Sequence, residues 1–251
     1  MPVYNPEIKW LEKAILSVQN QIYHHWELCI ADDCSTNPEI KPYLEKVAAE
    51  DPRIKIIFRA TNGHISAASN TAITISSGKF IALLDQDDEL HPEALYWVAE
   101  KINEKPDAAI IYSDEDKLNE EGMRSEPYFK SDFNYELFLA QNMICHLGVY
   151  RSDLIEKVQG FGEGYEGAQD WDLALKILDM TDPKAIHHIP RVLYHWRQSE
   201  ASTASGISAK PYAENAQLKA VRHHFKRNDI SATVQCKLSS IYFNIEYTLP
   251  K

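Results

Sequence analysis

Apolar residues recur at helical spacing through 8–22. Ile8, Leu11, Ile15, Val18 and Ile22 alternate steps of three and four residues, the mark of an amphipathic helix. Pro6 and Glu7 suit its first turn. "ELCIADD" then reads as a short buried strand, cut off by the turn-forming "DDCSTNP". The pattern repeats: a helix over about 38–49, a strand in "RIKIIFR", a helix over about 64–76 and a strand in "FIALLD". That last run is continuously apolar, as a strand covered on both faces should be. Pro92 opens a helix over 92–104, and "AAIIYSD" is the next strand. Strand and helix alternating at this spacing predict an α/β fold, with a mainly parallel Rossmann-like sheet and helices on both faces.

Beyond residue 120 the alternation weakens. Residues 131–141 and 168–179 read as helical, 144–150 and "RVLYHWRQ" as extended. A long polar helix is expected over 208–227 and a small β element over 232–248. "SEASTASGIS" (199–208) has little to pack and is expected to be a mobile loop beside a ligand. "MPVYNP" reads like the end of a strand entering a loop, so Met1 is expected to be internal to a longer chain.

In open α/β sheets, ligands bind beyond the carboxyl ends of the strands. That rule places Asp32-Asp33, Asp85-Gln86-Asp87-Asp88 and Asp114-Glu115-Asp116 along one rim. Carboxylates this close repel, so a cation is the natural complement. Asp85 and Asp87, at i and i+2 past a strand end, can share a hard divalent ion, Mg²⁺ or Mn²⁺. The competing reading is a solvated turn with a helix cap; three clusters on one rim weigh against it. An EF-hand fails because Leu90 and Tyr96 stand where Gly and Glu are needed, and no Walker loop is present.

The net charge of −11 disfavours nucleic acid as a partner. No apolar run approaches the roughly 20 residues of a membrane span, and no signal-peptide pattern is visible. Cys29, Cys34, Cys145 and Cys236 lack framework spacing. A cytoplasmic protein with reduced thiols is expected, at most peripheral to a membrane.

Two further stretches carry chemistry. In "GYEGAQDWDLALKIL" (164–178), Asp170 and Asp172 open a helix around Trp171. Either acid can be a dipole partner, or a carboxylate beside an aromatic can be a general base; the residues alone leave both open. In "YHWRQ", His195 and Arg197 share one face of an extended segment. They suit a metal and a diphosphate, or else an edge strand with a packed Trp196.

"PVYN", "ADDCST", "LLDQDDEL" and "GAQDWDLAL", in this order and spacing, resemble the inverting glycosyltransferases of family 2. The likeness is greatest to bacterial members that build O-antigen and other surface polysaccharides, for which "YSDEDK", "CHLGVYR" and "LYHWR" are also typical. The resemblance covers about residues 1–205 and implies a GT-A domain. Its nucleotide-sugar half would be about 1–117 and its acceptor half 118–205, with 206–251 as a C-terminal extension. It implies a nucleotide-diphospho-sugar donor held by Pro2, Tyr4, Asp33, His64, Asp85 and Arg197, and a saccharide or lipid-linked saccharide acceptor. It also implies Mn²⁺ or Mg²⁺ on Asp87 and His195, and Asp170 as catalytic base. Gln169 replaces the acidic neighbour many members carry, and the processive Q-x-x-R-W motif is absent. A nucleotidyltransferase and a non-catalytic glycan-binding module are the alternatives.

Overall fold

The computed structural model describes residues 1–198, 211–236 and 242–248. The first half alternates strand and helix: β1 (Pro2–Val3), α1 (Ile8–Gln19), β2 (Leu28–Asp32), α2 (Ile40–Glu50), β3 (Ile54–Phe58), α3 (His64–Thr74) and β4 (Phe80–Ala82). β5 (Glu89–Leu90), α4 (Ala94–Glu104), β6 (Ile110–Leu118) and β7 (Arg124–Tyr128) follow. Then come α5 (Tyr135–Ala140), β8 (Gly148–Arg151), α6 (Ser152–Lys157), α7 (Gln169–Leu178) and β9 (Ile186–Arg197). The chain closes with α8 (Pro211–Arg227) and a hairpin of β10 (Ala232–Gln235) and β11 (Asn244–Tyr247).

The strands form two main sheets. β1, β2 and β3 pair in parallel. The other sheet has the order β4-β8-β6-β9-β5, with β7 on β6. The expected parallel character therefore holds in the first sheet and between β6 and β9, whereas β4, β5, β7 and β8 pair antiparallel. The boundary expected at 205 and the 199–208 loop lie outside the described residues.

Two apolar cores hold these layers. One packs Leu11 and Ile15 of α1, Leu44 of α2 and Val98 of α4 against Leu28 and Ile30 of β2. The other gathers α5, α7 and α8 around Trp171, which is 2% exposed. The Trp171 indole stacks on Phe243 at 5.7 Å and donates Nε1–H to the Phe138 carbonyl at 3.1 Å. Trp171 is therefore a core anchor, and at about 100° per helical residue its neighbours Asp170 and Asp172 project to its two sides.

Candidate active site

A cleft of about 1940 Å³ opens where the two sheets meet. One wall is the loop 85–88 between β4 and β5, and it is stitched to the first loop of the chain. Tyr4 donates its backbone N–H to Gln86 Oε1 at 2.8 Å, and Gln86 Nε2 donates back to the Tyr4 carbonyl at 3.4 Å. The Tyr4 side chain is 45% exposed and stands at the mouth, with Pro2, Asp33 and the exposed His64 also lining the cleft. Asp33 is 2% exposed. Its carboxylate accepts from Arg59 Nε at 2.7 Å and from the Gly63 N–H at 3.0 Å, so protein donors offset its charge.

Asp85, Gln86 and Asp87 all line the cleft. Asp88 is not part of the cleft surface and is 1% exposed. Its carboxylate accepts from Tyr194 Oη at 2.6 Å and from the Arg197 N–H at 2.7 Å. Burial, then repulsion from Asp87 and Asp85, pushes its pKa well above the usual carboxylate range.

β9 explains where His195 and Arg197 go. Its register sets Tyr194 beside Glu115 of β6 and Trp196 beside Lys117, and all four residues line the cleft. His195 and Arg197 alternate onto the opposite face and do not line it. His195 Nδ1 shares a 2.6 Å hydrogen bond with Asp116. Arg197 is fully buried, its Nε donating to the Asp87 carbonyl at 2.7 Å, its Nη2 pairing with Glu89 and its guanidinium lying 3.9 Å from the Trp10 ring centroid. Neither His195, of which a metal role was expected, nor Arg197, of which a diphosphate contact was expected, lines the cleft. The two residues do share a face, as alternation requires, but it is the face behind the acidic loop. Asp114 likewise points away from the cleft, bound to His188 at 2.7 Å and to the Lys130 N–H at 2.9 Å.

An imidazole that does come within reach of the acidic loop is His146, in the "CHLGVYR" stretch, which carried no assigned chemistry. It stacks on Tyr194 with ring centroids 4.6 Å apart and meets Trp196 edge-on at 5.4 Å. Burial is the main cause pulling its pKa from 6.5 down to about 4, so the ring is neutral at pH 7. The Asp170 carboxylate opposes that shift and Lys130 reinforces it. The His146 backbone is clamped from behind: its N–H donates to Glu115 Oε2, and Lys130 Nζ donates to its carbonyl at 2.5 Å. Lys130 Nζ also donates to Glu115 at 3.0 Å and to the Cys145 carbonyl at 3.1 Å.

Asp170 also lines the cleft, from the first turn of α7. The helix N-cap is Ala168, with no side-chain cap, so Asp170 is no N-cap. Instead its Oδ2 accepts from Asn142 Nδ2 at 2.8 Å. Gln169, in the place of the family's acid, receives the Gly167 N–H at 2.7 Å and so braces the turn into α7. Asp172 faces away, 1% exposed, with Lys176 Nζ at 3.3 Å.

Asp85, Asp88 and His146 each bring a ligand atom within 4.8 Å of the others. Two carboxylates and a neutral imidazole suit Mn²⁺ or Mg²⁺, so the residues present fit a divalent cation. Asp87 lines the same cleft but is not among the three.

This arrangement can be set against known proteins. The sequence profile described as "Glycosyl transferase family 2" matches residues 1–159, well over half of the chain. The chain belongs to that family. Among curated family relatives, the O-antigen biosynthesis protein RfbC of Myxococcus xanthus is 32% identical over 98% of this chain. The chain spans only 19% of that relative's length. Among solved structures, S. aureus TarS in complex with UDP-GlcNAc superposes with a TM-score of 0.71 and 21% identity, over 89% of this chain and 64% of TarS. The mannosyltransferase PcManGT of Pyrobaculum calidifontis, in complex with GDP-Man and Mn²⁺, gives 0.66 and 16%, over 91% of this chain and 62% of its own. At these identities the likeness shows the fold, which is the GT-A arrangement the motifs implied. No described helix is long and apolar enough to cross a membrane.

Proposed function

We propose that the chain is the catalytic domain of a non-processive, metal-dependent, inverting glycosyltransferase acting in the assembly of a bacterial surface polysaccharide. The observation that carries the reading is the presence of two carboxylate groups in one cleft. Asp85 and Asp87 of the acidic loop line it, and so does Asp170, held by Asn142. The donor is a nucleotide-diphospho-sugar, its nucleoside end against Pro2, Tyr4, Asp33 and His64 and its ribose near Asp85. The names of RfbC and of the two solved relatives support this choice of donor and pathway. Asp170 accepts the proton of an acceptor hydroxyl as that oxygen attacks the anomeric carbon. The bond to the diphosphate breaks on the opposite face, so the configuration inverts and the nucleoside diphosphate leaves.

A divalent cation, when bound, offsets the charge that builds on the departing diphosphate. Asp85 and His146 would hold it, with a second carboxylate from Asp87 or Asp88. His146 takes the place first expected of His195, and its neutral state keeps a nitrogen lone pair available for a metal.

The test is calorimetric titration of UDP, dTDP and GDP with and without Mn²⁺, paired with a transfer assay on Asp170→Asn. The expected result is Mn²⁺-dependent binding of one nucleotide, kept in Asp170→Asn, whose transfer falls by roughly 10²–10⁴-fold. Loss of nucleotide binding in Asp87→Ala but not in Asp88→Asn identifies the second carboxylate ligand. Near-normal transfer by Asp170→Asn would refute the base. Binding of a glycan without any nucleotide would favour the non-catalytic module, and pyrophosphate release from a nucleoside triphosphate the nucleotidyltransferase.

A further inference from the structure

Asn142 lies on the segment 141–147 that leaves α5 and enters β8. Its side-chain amide is used at one end only. Nδ2 donates to Asp170 Oδ2 at 2.8 Å, whereas Oδ1 is shut off from solvent without a hydrogen-bond partner among the described residues. Chemistry fixes that orientation, because an ionised carboxylate only accepts and so must face the N–H end. A buried carbonyl left without a donor works against folding, and an apolar side chain of the same shape would avoid the penalty.

The backbone around Asn142 is built to stay in place. Met143 and Ile144 are fully buried in the core that surrounds Trp171. Before them, the Gln141 N–H donates to the Leu137 carbonyl at 2.8 Å and the Phe243 N–H to the Ala140 carbonyl at 2.9 Å. After them, Lys130 Nζ holds the Cys145 carbonyl at 3.1 Å. The base is tied to the same supports. Trp171, next in sequence to Asp170, donates to the Phe138 carbonyl of α5 and stacks on Phe243. Helix α5 and Phe243 therefore brace both partners of the Asn142–Asp170 pair.

Asp170 is half-buried, and the titratable groups that face it carry no positive charge at pH 7. Burial, then the Asp170 carboxylate, raises the pKa values of Cys145 and Tyr150 well above their ordinary range, and burial lowers that of His146 to about 4. Orienting the carboxylate thus falls to the Asn142 amide. Among the described residues no hydrogen bond occupies Asp170 Oδ1, and the residue lines the cleft.

We propose that Asn142 is a positioning residue for glycosyl transfer: it holds Oδ2 of Asp170 and leaves Oδ1 as the atom that takes the acceptor's proton. The inference rests on Asp170 being the base. The acceptor oxygen bonds to the anomeric carbon, the bond to the diphosphate breaks, and the hydroxyl proton passes to Asp170 Oδ1. The unpaired carbonyl of Asn142 then has a reason, since the residue serves turnover at the expense of stability.

The test is a double-mutant cycle on Asn142→Leu and Asp170→Asn. Asn142→Asp is a second variant of nearly unchanged shape that also lacks the donor. Turnover is read as nucleoside diphosphate released from UDP-GlcNAc, dTDP-glucose and GDP-mannose with Mn²⁺, with water or methyl glycosides as acceptor. Donor affinity is read by calorimetry with UDP, dTDP and GDP. Asn142→Leu is expected to lower kcat by about 10–100-fold, to leave donor KM and nucleotide affinity unchanged, and to melt no lower than the wild type. Asn142→Asp should lower kcat at least as far. Adding Asn142→Leu to Asp170→Asn should change kcat by less than about twofold.

Near-wild-type kcat in both Asn142 variants, beside an Asp170→Asn protein that has lost transfer, overturns the positioning role and leaves the base standing. Near-normal turnover by Asp170→Asn overturns both. A melting midpoint about 4 °C or more below the wild type in Asn142→Leu, with kcat and KM both impaired, makes Asn142 a structural residue and overturns the proposal as well.

Discussion

His146 offers a quantitative check on the cleft as built. Its imidazole has a folded-state pKa of about 4 against an ordinary 6.5. Between these values the unfolded chain binds a proton that the folded chain refuses, so stability falls as pH drops from 6.5 towards 4. At about 1.4 kcal/mol per pH unit, the gap bounds the loss at roughly 3 kcal/mol. Partial exposure of the ring to the open cleft brings the expected value to about 1–3 kcal/mol. Asp88 and Glu115 work the other way. Burial raises both of their pKa values, so the folded chain gains protons first and is favoured as pH falls. The comparison that isolates His146 is therefore between proteins. Urea unfolding of the wild type and of His146→Asn, followed from pH 7.5 to 4.5, should give stability curves that converge on the acid side by about 1–3 kcal/mol. A constant offset between them across that range would refute a buried neutral imidazole.

Three other outcomes follow from the same contacts. Lys130→Met leaves the buried Glu115 without its cation and is expected to cost about 3–5 kcal/mol in denaturant unfolding. Tyr194→Phe removes the donor that Asp88 receives at 2.6 Å; a loss of about 1–3 kcal/mol is expected, together with weaker Mn²⁺-dependent nucleotide binding by calorimetry. Asp172→Asn changes a residue 1% exposed beside Lys176. It should lower the melting midpoint while leaving donor affinity unchanged.

The features legible in the sequence were those encoded locally. Helical periodicity over 8–22 delivered α1, and "ELCIADD", "RIKIIFR" and "FIALLD" delivered β2, β3 and β4 within a few residues. β5 has only two residues, and β7 is largely exposed and charged, so neither carries an apolar pattern to read. At the site, alternation correctly paired His195 with Arg197 and said nothing about which side the pair would face. That choice is made by register against β6, a contact between residues about 80 apart. His146 was missed for a related reason. A single histidine in "CHLG" has no spacing to betray it, and only the clamp from Lys130 and Glu115 turns it towards the cleft. Among the acids of the rim, the sequence could not tell Glu115, which faces the cleft, from Asp114 and Asp116, which do not.

Arg197 gives the acidic loop a property its sequence conceals. Four carboxylates within five residues, at 85, 87, 88 and 89, would be expected to splay apart until a ligand supplied positive charge. Here a fully buried guanidinium stands behind them, bonded to the Asp87 carbonyl and paired with Glu89, while its own backbone N–H holds Asp88. The loop is thus moulded from the rear, and its cleft-facing side keeps its negative potential for whatever arrives. A ligand entering such a mould spends little of its affinity on ordering it. Residues on the visible wall can then change which ligand is chosen without disturbing the mould, and a change at Trp10, on a helix outside the cleft, would loosen it.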